Sequence, residues 1–214
     1  MSLSQNKLIE ILNTSPNPSW EEEFLTHFPK SSLSLLFSEP QVGPDYWPYL
    51  FATITPESKE PSLKVLQWLS QKGIGLAIFK PQKQQPEYIF TYGMIWNFME
   101  NGSFIIKEVQ PPSPQLILEK NEKILAGPPS EKFLPPYVRQ ILRQFFHDQK
   151  IKTPRILVLS KDKKHYDLCF SLESLGNPPQ EEHQGILEAI SWFLPPHYSL
   201  VLLSEEGLPS FHDL

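Results

Sequence analysis

Apolar residues recur at every second position from Tyr88 to Phe98: Tyr88, Phe90, Tyr92, Met94, Trp96 and Phe98. The residues between them, Ile89, Thr91, Gly93, Ile95, Asn97 and Met99, are mixed. Period two predicts a strand with one buried face. Asn101-Gly102 follows, and Asn-Gly favours a two-residue hairpin turn because type I′ needs positive φ at both central residues. The stretch from Glu87 to Lys107 therefore reads as an aromatic hairpin, with Phe98 facing Ile105 and Trp96 facing Lys107. Such a strand is long, and Gly93 is the expected place for a bulge.

Before the hairpin the pattern alternates between helical and extended. Leu3 to Leu12 and Ser19 to Phe28 read as amphipathic helices, the second with Ser19 and Glu22 as a capping box. Leu33 to Phe37 fits either helix or strand. Tyr49 to Thr55 is a strand candidate. Thr55-Pro56 then opens a helix with Glu57 and Glu60 in its first turn, Leu63, Val65, Leu66, Trp68 and Leu69 on its apolar face, and Gly73 at its end. Ile74 to Phe79 is a short buried strand, and Gln82 to Gln85 a polar loop.

Gln110 to Gln115 marks a boundary between an N-terminal subdomain, residues 1–110, and a C-terminal one, residues 115–214. Leu116 to Leu118 and Lys123 to Ala126 are strand candidates. Pro135-Pro136 opens a helix running to Gln149. Arg155 to Ser160 and Tyr166 to Leu172 are strands joined by Asp162-Lys163-Lys164. Pro178-Pro179 opens another helix, stopped by Pro195-Pro196, and Tyr198 to Leu203 is the last strand. The fold class is α+β: two small subdomains, each a mostly antiparallel sheet with helices on one face.

Three landmarks accompany this order: Gly127-Pro128-Pro129-Ser130 before the helix, the pair Arg155–Leu159 and Tyr166–Phe170, and Leu194-Pro195-Pro196 ahead of Tyr198–Leu202. In these the segment from about 127 to 203 resembles the C-terminal domain of the SseB (enhanced serine sensitivity) family of bacterial proteins. The resemblance implies a small α+β domain and no catalytic residues to carry over.

Composition narrows the function classes. The chain has 214 residues and a net charge of -5, with no long basic block, so no nucleic-acid partner is expected. Its 23 prolines, about twice the usual share of roughly 5%, fall between periodic segments and punctuate a folded chain. The single cysteine, Cys169, excludes an internal disulfide and a multi-cysteine metal site; it reads as a buried structural thiol. No cleavable signal and no apolar run of membrane-spanning length is seen, which places the protein in the cytoplasm.

The six histidines form no metal-binding spacing, and no cofactor or metal is expected. Gly73-Ile74-Gly75 precedes a strand, on the wrong side of it for a dinucleotide fingerprint. Glu21-Glu22-Glu23 read as acids favoured at a helix start. The loop around Asp45, Tyr46, Trp47 and Tyr49 carries a sharper choice. Rigid aromatics with polar tips make a recognition loop; the same rings folded inward make a lid over the core. Tyr92 and Trp96 form a candidate pocket, with core as the competing role. The function expected is a non-enzymatic protein-binding or adaptor protein whose partner is another protein. The alternative is a small-molecule-binding protein or enzyme with a pocket between the two subdomains, near Asp45, Tyr46 and Trp96.

Overall fold

The computed structural model describes residues 3–14, 17–106 and 124–214. The chain divides into two compact units, Met1–Lys107 and Glu108–Leu214. Each carries helices and a mixed sheet, so the α+β class holds. Gln110 to Gln115, the strand candidate Leu116 to Leu118, and Lys107 with its pairing to Trp96 lie outside the described residues.

The first unit contains helices α1 (Leu3–Asn13), α2 (Trp20–His27), α3 (Ser62–Ser70) and α4 (Tyr92–Asn101). Its strands are β1 (Ser32–Leu35), β2 (Gln41–Val42), β3 (Pro48–Thr53), β4 (Glu60–Pro61), β5 (Gly75–Phe79) and β6 (Pro86–Phe90). The sheet runs β4-β1-β3-β5-β6, with β2 also on β3. Among the described residues only β3 and β5, joined through α3, pair in parallel; the other pairs are antiparallel. Leu33, Leu50, Ala52, Leu76, Ile78 and Phe90 form one apolar face. Leu8, Ile11 and Leu12 of α1, Phe24 and Leu25 of α2, and Val65, Leu66 and Leu69 of α3 bury against it, each set at helical spacing. The buried Gln5 amide ties α1 to the sheet. Its nitrogen donates to the carbonyls of Ser32 (3.1 Å) and Thr55 (2.9 Å), and its oxygen accepts from the Ser32 amide (2.7 Å).

The aromatic hairpin is not formed. Strand β6 ends at Phe90, and the residues expected to continue it are the helix α4. Tyr92, Ile95, Trp96 and Met99 also satisfy helical spacing, so the period-two aromatics coincide with a helix. The ends decide the matter. Thr91 is extended, and its hydroxyl accepts from the Met94 amide, an N-cap. Gly102 does take positive φ, +71°, but its amide bonds the Phe98 carbonyl at 2.7 Å, which makes it the left-handed C-terminal cap. Gly93 is helical, and the register irregularity falls instead between Ile78 and Phe79.

Two helix starts are also corrected. Ser19 does not form a capping box with Glu22: its hydroxyl lies within hydrogen-bonding distance of the Asn17 side-chain oxygen (2.9 Å) and of the Glu23 carboxylate (2.8 Å), one residue further on. Helix α3 begins at Ser62, not at Thr55-Pro56. Ser58 instead closes a turn on Thr55, so Glu57 and Glu60 precede the helix, and Glu60 lies in β4.

The second unit contains β7 (Leu125–Gly127), α5 (Pro136–Asp148), β8 (Arg155–Ser160), β9 (Asp167–Ser171), α6 (His183–Ser191), β10 (Ser199–Leu203) and β11 (His212–Asp213). Its sheet order is β10-β9-β8-β11, with β7 also on β8. Here too one pair, β9 with β10 across α6, is parallel and the rest are antiparallel. Ile156, Leu168, Phe170, Leu200 and Leu202 share one face by register, and the Phe170 ring lies 5.8 Å from Phe146 of α5. Leu157, Leu159, Cys169 and Val201 share the other and pack with Phe211.

Candidate functional site

Strands β2 and β3 form a hairpin in which Gln41 faces Tyr49 and Val42 faces Pro48. Residues 43–47 close it. The Gly43 amide donates to the Trp47 carbonyl (2.8 Å), and the Tyr46 amide to the Gly43 carbonyl (3.0 Å). Asp45 locks the turn: one carboxylate oxygen accepts the Trp47 amide (3.3 Å), the other the Tyr49 hydroxyl (2.5 Å). Tyr49 is only 3% exposed. Its ring fills the space left by two glycines: a Cβ on Gly43 would come within 2.8 Å of the ring, and one on Gly75 within 2.6 Å.

The loop aromatics therefore divide. Tyr49 is a buried anchor, Trp47 is half-buried, and Tyr46 is 87% exposed. Tyr46 also adopts φ +67°, a left-handed conformation that costs a non-glycine residue about 1 kcal/mol. Recognition loop and core lid are thus not alternatives for the whole segment, because successive residues point different ways. Earlier in the same stretch of chain are Leu35, Leu36 and Phe37, each 40 to 50% exposed, and next to the loop Val42 at 70%. Phe37 meets the half-buried Phe51 edge-on, ring centroids 6.1 Å apart. Sequence reasoning passed over these four. The available signal was three consecutive apolar residues, Leu35-Leu36-Phe37, which a strand with one buried face cannot bury together.

Tyr92 and Trp96 lie one turn apart on α4, and both rings are buried. The Tyr92 hydroxyl donates to the Ser70 carbonyl at the end of α3 (2.7 Å).

Several titratable groups are engaged in structure. Cys169 is fully buried, and that burial pushes its thiol well above the usual range. Tyr88, desolvated and donating to Glu21 at 2.6 Å, is raised likewise. In the β8–β9 turn one Asp162 oxygen accepts the amides of His165 and Lys164 (both 2.8 Å), and the other meets the His165 ring (2.6 Å). These bonds hold the carboxyl well below the ordinary carboxylate range. At the far end of β9, Glu173 accepts the Ser204 hydroxyl (2.7 Å), which lowers its pKa, and Glu205 pairs with Arg155 (2.7 Å). Desolvation depresses His197. Among the described residues no three His, Cys, Asp or Glu side chains group to hold a metal ion, and no helix is long and apolar enough to cross a membrane.

Comparison with family models, curated proteins and solved structures gives no significant match to this chain.

Proposed function

We propose that this chain is a cytoplasmic, non-enzymatic protein-binding or adaptor protein that engages its partner through the 43–47 turn and the apolar residues next to it. The observation that carries this reading is Tyr46, an almost fully exposed aromatic held in a strained conformation by a turn in which Gly43, Asp45 and Trp47 are hydrogen-bonded. Backbone strain at an exposed position is retained where the surroundings impose it, and such positions cluster at binding sites. Tyrosine supplies a large contact area with little side-chain freedom to lose. Four exposed apolar residues, Leu35, Leu36, Phe37 and Val42, precede the turn along the chain, and exposed apolar surface marks interaction sites. The likeness of the second unit to the SseB C-terminal domain remains part of the proposal. It is supported by the run α5, β8, β9, α6, β10 and by the proline break before β10.

The test separates binding from folding. Tyr46→Ala should leave the denaturation midpoint within about 0.5 kcal/mol of the parent. It should weaken partner capture from the native organism by about thirtyfold, the effect of losing an interface aromatic worth about 2 kcal/mol. Undiminished capture by the variant would remove Tyr46 from the interface. A large loss of stability would return the residue to a folding role.

A further inference from the structure

The two units follow the same path through their central strands, and the comparison exposes a gap in one of them. In the second unit the outer edge of β8 is covered along its length: β11 pairs with Arg155 and Ile156, and β7 with Val158, Leu159 and Ser160. In the first unit the counterpart is β1, the strand antiparallel to the middle strand β3. Its outer edge is covered by β4 only at Ser32 and Leu33. Nothing among the described residues takes the place of β7. The preceding chain does not continue β4 as a ladder strand: Thr55 to Ser58 is closed into a turn, which meets β1 through the Ser34 hydroxyl, a donor to that of Ser58 (3.1 Å).

Strand parity fixes what this open half presents. The Leu36 amide donates to the Phe51 carbonyl, so Leu36 points its backbone groups at β3. Those of Leu35, one residue earlier, point away from the sheet. An unpaired edge with Leu35, Leu36 and Phe37 exposed is an invitation to another strand, and native proteins usually blunt such edges with charge, proline or cover. Here the charges stand at the ends of the gap rather than on it. Glu39 lies beyond it on one side and Glu57 and Glu60 on the other, against the single Lys59, all exposed.

We propose that the edge at Leu35–Phe37 binds an extended segment of another protein by strand addition. The added strand runs antiparallel to β1 in the place that β7 holds on β8. It carries apolar side chains in its centre and lysine or arginine at its ends. The proposal rests on the protein-binding reading and gives it a mode: main-chain bonds to Leu35 supply the pairing, and the neighbouring apolar residues and Tyr46 select the side chains. A second copy of this chain is the poorer occupant, since edge-to-edge pairing would bring the Glu39, Glu57 and Glu60 groups of both copies together.

The probe is a random peptide library displayed on phage and panned on the full chain. Selected peptides should be apolar at the centre and basic at the ends. They should slow hydrogen exchange at the Leu35 amide and bind about tenfold more weakly to Leu35→Pro, the loss expected when one main-chain donor is removed and its partner left unpaired. That substitution removes an outward-pointing donor and no bond to β3, so the variant should still fold. Should it fail to fold, the same peptides N-methylated at alternate amides, tested on the parent chain, replace it, and they should lose affinity for one set of positions only. Selection of no peptide, equal binding to Leu35→Pro, or indifference to N-methylation overturns strand addition. Peptides that lose affinity with Tyr46→Ala but ignore Leu35→Pro would keep the protein-binding function and discard this mode. Sedimentation showing a dimer broken by Leu35→Pro would assign the edge to a second copy and overturn the choice of partner.

Discussion

The first unit strings together β1, β3, α3 and β5, and the second β8, β9, α6 and β10, with the same pairing: antiparallel, then parallel across a helix. They differ in what joins the first two strands. In the second unit a short turn does so, tied by Asp162 to the amides of Lys164 and His165. In the first, residues 36–47 intervene, with exposed Leu36 and Phe37, the small strand β2 and the Tyr46 turn. They differ again in the strand added at the end: β6 joins beside β5, whereas β11 returns to β8 and helps cover its edge. One scaffold thus recurs, and among the described residues its first strand is covered on the outer edge in the second unit and open there in the first. The first unit displays apolar side chains because its first connection is long and its first strand, among the described residues, is only half covered. Rigid scaffolds with an elaborated connection are the usual way a fold acquires a binding surface.

The second unit should depend heavily on its middle strand. Phe170 is fully buried in β9 and meets Phe146 of α5. Phe170→Ala should lower stability by about 3 to 5 kcal/mol, through lost burial and the cavity left behind. Chemical denaturation measures it directly. A loss under about 1 kcal/mol would mean that β9 is not the spine of that unit, and the parallel drawn with β3 would fail.

In the first unit the corresponding weak point is the anchor beneath the display turn. Gly75→Ala would set a methyl 2.6 Å from the Tyr49 ring and 2.8 Å from the Phe90 carbonyl oxygen. The ring can tilt only by straining its bond to Asp45, and the carbonyl belongs to the β5–β6 ladder. Overpacking of this kind costs about 1 to 3 kcal/mol. The turn should also loosen, which faster hydrogen exchange at the Gly43 and Tyr46 amides would report. An unchanged midpoint with unchanged exchange would show that the glycine is not what seats Tyr49.

Local pattern carried much of this architecture. The helices α1, α2 and α5 and the strands β3, β5, β8, β9 and β10 follow from spacing of apolar residues, and the strand–helix–strand order of the parallel pairs was there to be read. Tyr92 to Asn101 misled because its bulky residues satisfy two periods at once, and because Asn-Gly signals positive φ without saying whether a hairpin or a helix end requires it. Thr91, a good N-cap residue, was the discriminating letter. Two-residue strands such as β2, β4 and β11 are too short to carry a pattern and exist only through their partners. The site was half legible. Aromatic and acidic residues in one loop drew attention to 45–49, but which ring turns out depends on the space beside Gly43 and Gly75, which comes from pairing between distant segments. The open edge at Leu35 was invisible for the same reason: an edge is a strand's missing neighbour, and no single segment encodes that.

The smallest predicted effect tests what ties the short connection of the second unit. Asp162 is ionised at neutral pH and accepts two backbone amides and the His165 ring. Its folded pKa is depressed below the ordinary value of about 3.9. For a depressed carboxylate the stabilisation is present above the unfolded pKa and is lost as pH falls through the folded one. Between pH 7 and about 5 this group should therefore add no slope to the stability curve, and below about 4 it should. Asp162→Asn keeps a side-chain oxygen for the two amides and removes the charge. Its denaturation midpoint should lie close to the parent's near neutrality, since an exposed pair with histidine contributes little there, and should fall less steeply in acid. Equal acid slopes for parent and variant would place the acid sensitivity in other carboxylates and deny Asp162 the role of turn lock. The contrast between a short connection tied by Asp162 and a long one that displays Tyr46 would then need another cause.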